Sequence, residues 1–202
     1  MNLKRLLVLA TCAIVTSNAF SAPILDGLTD KQIATIKKGG LAVKPTEIPG
    51  SPWPKLQVFT QINAPVSEVE KVFRDYKNAA SYSPGVDSVD VLAHPSKNVY
   101  DVRYNSSLPL IGDTSNTVRN TFSYEGKDLV VKWHLLKSSV ADISEGELRA
   151  APYGSGCILR YTNYVKPKSK LAGLARGAAL GEVKKTVVAL KGETEKRYQQ
   201  KN

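Results

Sequence analysis

Glu145 and Glu147 stand two residues apart in a strand-like stretch, which places both carboxylates on one side about 7 Å apart. Such a pair could do acid–base work. Alternating acids on a strand are more often its solvated face, and no catalytic role is assigned to them. The two histidines, His94 and His134, share no ligand-like spacing with Cys157, so no metal centre is expected. There is no G-x-S-x-G elbow, no Walker A loop and no G-x-G-x-x-G. The residues point to no catalytic site and no cofactor. The chemistry they do suggest is recognition, carried by tyrosine and tryptophan.

Strand alternation assigns these aromatics to faces. Tyr100, Val102 and Tyr104 alternate with Asp101 and Arg103. Val118, Phe122 and Tyr124 alternate with Arg119. Val131, Trp133 and Leu135 oppose Lys132 and His134, which places His134 toward solvent. Cys157, Leu159, Tyr161 and Val165 oppose Arg160 and Lys166. An inward set rich in phenols and indole suits an amphipathic cavity, because each polar tip needs a partner when buried. Plain core packing would use the same residues. The candidate ligand-binding set is Tyr100, Tyr104, Phe122, Trp133 and Tyr161, with Gly177 from the C-terminal helix. Arg119 and Asp113 are candidate polar groups near a cavity mouth.

The elements that must position these residues follow from the same sequence. Leu28 to Lys38 reads as a short helix, with Thr29 and Gln32 as a capping box and Gly39-Gly40 as its stop. Pro45 to Pro54 holds four prolines and reads as an extended connector. Lys55 to Asn63 alternates as a strand. Ala64-Pro65 opens a helix whose Val69, Val72, Phe73 and Tyr76 form a core stripe. Six strands follow, at 86–94, 98–108, 114–124, 128–137, 140–150 and 157–166. Their short, turn-rich separators predict an antiparallel meander. A helix of roughly 30 residues then runs from about Ser169 to Gln199. The expected fold is α+β, a curved seven-stranded antiparallel sheet wrapped around that helix, with helices on one face.

Gly173, Gly177 and Gly181 recur every fourth residue in the last helix. Each costs about 1 kcal/mol relative to alanine. They either thin the helix for a ligand, let it bend as a gate, or allow close packing on the sheet. Lys166, Lys168 and Lys170 cluster at its start, where positive charge opposes the helix dipole. They could meet an anionic membrane surface or form a solvated turn.

The chain of 202 residues suffices for one full core. Its 42% hydrophobic and 23% charged residues exclude a disordered tail and a polytopic membrane protein. Lys plus Arg number 28 against 18 acids, a net charge of +10. The first residues qualify that charge. Lys4 and Arg5 precede the apolar run Leu6 to Val15, and Ala19-Phe20-Ser21 offers a small-x-small cleavage pattern. Residues 1–21 therefore read as a signal peptide, with a periplasmic or secreted destination. Loss of Lys4 and Arg5 leaves the remainder at +8, with Cys157 as its single cysteine. Export argues against nucleic acid as a partner. Residues 22–54 read as an N-terminal extension and 55–200 as the main domain.

Asn63-Ala64-Pro65-Val66-Ser67-Glu68-Val69-Glu70-Lys71-Val72-Phe73-Arg74-Asp75-Tyr76 resembles the first strand and helix of the START-like (SRPBCC) superfamily of polyketide cyclase-like, coenzyme-Q-binding and lipid-transfer proteins. The Tyr82-Ser83-Pro84-Gly85-Val86 turn, the Ser107 to Asp113 loop, and the Gly146-x-Leu148 and Gly156 to Tyr161 stretches resemble later pieces of that family. Leu148 and Cys157 depart from its usual aromatic and threonine. The resemblance implies a helix-grip fold with a cavity between sheet and helix. It implies a hydrophobic small molecule or lipid as partner, and for a minority of members an enzyme. The expected function is an exported binding protein for such a ligand. The alternatives are a cyclase- or dehydratase-like enzyme and a filled-core interaction module.

Overall fold

The computed structural model describes residues 23–108, 112–169, 173 and 175–201. The expected signal peptide lies outside them. A 3-10 turn over Pro23–Leu25 leads into helix α1, Asp30–Lys37. The expected capping box is present, with the Thr29 hydroxyl accepting from the Gln32 amide at 3.3 Å and the Gln32 side chain accepting from the Thr29 amide at 2.9 Å. Two strands follow, β1 over Ala42–Thr46 and β2 over Lys55–Ile62. Helix α2, Val66–Arg74, and a 3-10 segment over Tyr76–Ser81 precede six strands. These are β3 Ser88–Ser96, β4 Val99–Leu108, β5 Gly112–Glu125, β6 Asp128–Ser138, β7 Ala141–Tyr153 and β8 Gly156–Pro167. Helix α3, Arg176–Gln199, closes the chain.

The strands form one antiparallel sheet in the order β1-β2-β8-β7-β6-β5-β4-β3. It has eight strands where the sequence predicts seven. The extra one is β1, which begins ahead of the proline-rich connector and ends inside it. As an edge strand it needs partners on one side only, so Pro45 fits without breaking a ladder. Three of its five residues are exposed, which leaves too little alternation to read as a strand.

Helices lie on both faces, against the single covered face expected. On one face α2 and α3 pack over Leu56, Val58, Val102, Val131, Leu148 and Leu159. Val69 and Val72 of α2 and Val187 of α3 are fully buried in that core. On the other face α1 and the first 3-10 turn cover the β1–β2–β8 corner. There Ile24, Leu25 and Ile36 meet Phe59, Ala151 and Ile158. The rest of that outer face is laced by charge. Arg119 pairs bidentately with Asp101, and Arg149 with Glu125, Asp128 and Glu147.

Candidate functional site

Register fixes which side chains share the helix-covered face. Val102 stands opposite Val118, and Tyr161 stands between Val58 and Leu148. Tyr104, Asn120, Trp133 and Tyr161 therefore line the same concave surface as the buried valines. Trp133 and Tyr161 lie with ring centroids 5.0 Å apart. Trp133 lies over Gly146 of β7. A Cβ there would sit 2.2 Å from the Trp133 ring and 2.2 Å from the Thr162 carbonyl oxygen. Gly146 thus lets the indole rest on the sheet.

Asn120, 2% exposed, donates through Nδ2 to the Tyr76 hydroxyl at 3.1 Å and lies beside the Tyr104 hydroxyl. Burial raises the pKa of Tyr76, Tyr104 and Tyr161 well above the usual phenol value. It pushes Tyr82 up to about 12. For Tyr161 the cause is burial. Tyr104 and Tyr161 nonetheless keep accessible surface. Tyr104 and Tyr161 are half-buried on the helix-covered face. At neutral pH all four are protonated hydroxyls.

Tyr100 and Phe122 lie at one end of this surface. Phe122 meets Phe73 and Tyr100, and Tyr100 meets Tyr76, all at centroid distances of 5.4 to 6.0 Å. The Arg74 guanidinium lies 3.8 Å over the Phe122 ring and donates to the Tyr100 hydroxyl at 3.1 Å. His94 stacks on Tyr100 at 4.1 Å. The structure therefore joins Tyr104, Trp133 and Tyr161 in one wall and sets Tyr100 and Phe122 in a plug beneath Arg74. Sequence reasoning did not single out Asn120, an amide at an inward position between Val118 and Phe122. It read Tyr76 as core stripe.

Gly177 and Gly181 lie in the first two turns of α3, and Gly173 precedes the helix. A Cβ at any of the three would meet nothing within 4 Å. Close packing on the sheet is not their purpose. At 100° per residue, positions four apart drift by about 40°, so Gly177 and Gly181 lie progressively off the face carrying Val183 and Val187. Arg176, at the start of α3, reaches Glu47 with both guanidinium nitrogens in an exposed ion pair.

Other expected groups fall elsewhere. Arg119 lies on the outer face against Asp101, away from a mouth on the concave side. Glu147 also faces outward, accepting from Arg160 at 2.8 Å. His134 is exposed, as expected. Cys157 is fully buried and its thiol is pushed up to about 12, so it carries no thiolate at neutral pH. Asp113 borders an open polar cavity of about 450 Å³ with Asp87, Asn105, Ser107 and Ser139. Ser107 lies 2.8 Å from both Asp87 and Asp113, though its hydroxyl can donate to one at a time. Among the described residues no cluster of His, Cys, Asp and Glu could hold a metal ion. No described helix is long and apolar enough to cross a membrane.

A curved antiparallel sheet closed over by a C-terminal helix, with an aromatic concave wall, defines a START-like α+β domain. The chain belongs to the polyketide cyclase / dehydrase and lipid transport family, whose pattern matches residues 54–195. Solved structures agree on the fold. A STAR-related lipid transfer protein from Xanthomonas axonopodis is similar with a TM-score of 0.70 at 18% identity, covering 77% of this chain and 93% of its own. Human StAR-related lipid transfer protein 5 matches with a TM-score of 0.65 at 10% identity, over 79% and 82%. The Zhui aromatase/cyclase from a Streptomyces species matches with a TM-score of 0.55 at 17% identity, over 78% and 95%. No curated protein matches the chain.

Proposed function

We propose that this protein is an exported carrier or sensor of a hydrophobic or amphipathic small molecule, lipid- or quinone-like, held between the sheet and α3. The observation that carries the reading is one helix-covered face on which the half-buried Tyr104 and Tyr161 sit with the buried Trp133. Burying apolar ligand surface there would supply about 25 cal/mol per Å². Hydroxyl groups would orient the ligand. Family membership supports hydrophobic ligand binding or cyclase activity. The described inner wall favours binding, because its polar groups include protonated phenols and the amides of Asn116 and Asn120, which hydrogen-bond and do not act as bases at neutral pH.

The first turns of α3 are the gate in this reading. Removing the flexibility of these turns by Gly177→Leu should block ligand entry, and unchanged affinity in that variant would count against the gate. The pattern in residues 1–21 supports export to the periplasm or the medium. Lys166, Lys168 and Lys170 would bring the start of the helix to an anionic membrane surface; Lys168 already donates to the Ser138 carbonyl at 2.7 Å, and Lys170 lies outside the described residues.

Native mass spectrometry of the protein purified from its own source, with solvent extraction, tests the reading. A one-to-one apolar adduct is the expected result. A clean mass, persisting after incubation with lipids and quinones, would overturn it in favour of a filled-core interaction module or an enzyme with a transient substrate.

A further inference from the structure

We infer that the outer face of α3, together with the end of α1, is a docking surface for an anionic phospholipid bilayer. The inference deepens the membrane part of the reading above, assigns it to residues other than Lys166 and Lys168, and does not depend on what the protein carries. Its basis is where charge is left uncancelled. On the outer face of the sheet acids and arginines pair off: Asp90 with Arg103, Asp101 with Arg119, and Glu147 with Arg149 and Arg160. Between α2 and the end of the chain, Asp75 meets Arg197 and Glu68 meets Lys201. Lys37, Lys38 and Lys184 are exposed and meet no carboxylate among the described residues. Lys185 reaches the exposed Glu182 at 2.7 Å.

Two contacts bring these lysines to one surface. A Cβ on Gly39, just past α1, would lie 3.7 Å from Lys191 Nζ of α3. The same Lys191 donates to the Gln61 carbonyl at 2.6 Å. α1 therefore ends beside the middle of α3. At about 100° per residue, Gly181, Lys184, Lys185, Val188 and Gly192 share a sector of roughly 100° on the side of α3 away from the buried Val187, Leu190 and Thr194. Val188 is 54% exposed within that sector. Neither glycine carries a side chain to stand between the lysines and a flat surface, and a Cβ at either would meet nothing within 4 Å. Cations at the end of α1 also suit its dipole, but Lys184 and Lys185 lie in mid-helix, where the dipole gives them nothing. A second copy of the chain on this face would set lysine against lysine. An anionic bilayer offers opposite charge to all four and an apolar boundary to Val188.

The protein and its variants are isolated from the original host and sedimented with vesicles of phosphatidylcholine, alone or with about one-third phosphatidylglycerol. Binding to the anionic vesicles and not to the neutral ones is expected, and it should fade as salt rises toward about 0.5 M. Removing three charges by Lys37→Gln, Lys38→Gln and Lys184→Gln should weaken it about tenfold or more. Lys127→Gln, Lys132→Gln and Lys137→Gln take as much charge from exposed positions on the sheet side and should change it by less than about twofold. Val188→Cys can be labelled with an environment-sensitive dye while Cys157 stays buried, and its emission should shift to the blue on anionic vesicles. Equal weakening by the two triple variants, or a dye that does not shift, would overturn the inference. Loss of binding only on changing Lys166 and Lys168 would overturn it and leave the membrane reading standing on those residues. Absence of binding to anionic vesicles would overturn both, while the carrier reading is judged separately by the native mass spectrum.

Discussion

From Val187 onward, α3 is tied to the domain by a buried stripe and by hydrogen bonds and ion pairs, whereas its first two turns contribute only the half-buried Leu180 and Val183 and an exposed ion pair. In the second half, Val187, Leu190 and Thr194 are buried against the sheet and α2. Lys191 donates to the Gln61 carbonyl at 2.6 Å, and Glu195 accepts from the Asn63 amide at 2.8 Å. Arg197 reaches Asp75, and Lys201 reaches Glu68, each at 2.6 Å. In the first half, Gly177 and Gly181 face open space, and the Arg176–Glu47 pair is exposed. In the carrier reading, a helix fixed more firmly at one end than at the other would act as a lever. Such a lever can uncover the tyrosine wall without unfolding the domain, because local opening draws on the elements with least burial.

The sharpest way to break this comparison is to hollow out the tight end. Leu190→Ala should destabilise the protein by about 2–5 kcal/mol in urea unfolding, the usual range for a buried leucine. The half-buried Leu180, in the loose half, should cost clearly less. Equal losses would show that both halves are clamped alike.

Acid probes the same clamp. Hydrogen bonds from Lys201 and Lys71 hold the Glu68 carboxyl below its ordinary value. Burial alone would raise Asp75, and bonds from Asn78 and Arg197 outweigh it, so its value is also lowered. Both are depressed on folding. Their stabilisation is complete above the unfolded values of 4.5 and 3.8 and is lost as pH falls through the folded ones. Glu68→Gln combined with Asp75→Asn should cost about 1 kcal/mol per carboxylate at pH 7 and flatten the acid limb of a stability–pH curve. An unchanged limb would remove these bonds from the clamp.

The loose end should respond in the opposite direction. Gly177→Ala and Gly181→Ala meet no neighbour, so each should stabilise the chain by up to about 1 kcal/mol through helix propensity. Ligand release, followed by stopped-flow displacement, should slow at the same time. Destabilisation would mean that the open space is filled in solution. The smallest effect is expected from Glu47→Gln. The urea midpoint should stay where it is, while release quickens at low salt and loses its salt dependence.

Much of this architecture is legible in the sequence. Alternation placed Tyr104, Trp133 and Tyr161 on one face, because a period of two survives wherever a strand has one dry side. The capping box at Thr29 and Gln32 was equally plain, being a local pattern. Long-range matters were not. β1 escaped because an edge strand ending in Pro45 and exposed residues has no alternation to show. The direction of Arg119 depended on Asp101 across the sheet, and the role of Asn120 on Tyr76, 44 residues away. The three glycines looked like one face only under a period of four; a true helix turns past it.

The N-terminal layer has a bearing on where this protein can be cut. The family pattern begins at residue 54, but the outer core begins at Ile24, and Ile36 within it is wholly enclosed. A fragment trimmed to the homologous unit would bare Phe59 and Ile158 and leave β2 as a naked edge, open to pairing with a neighbouring molecule. Homology and autonomy draw different boundaries here. An expression fragment or fusion that respects the second should start no later than the turn at Pro23.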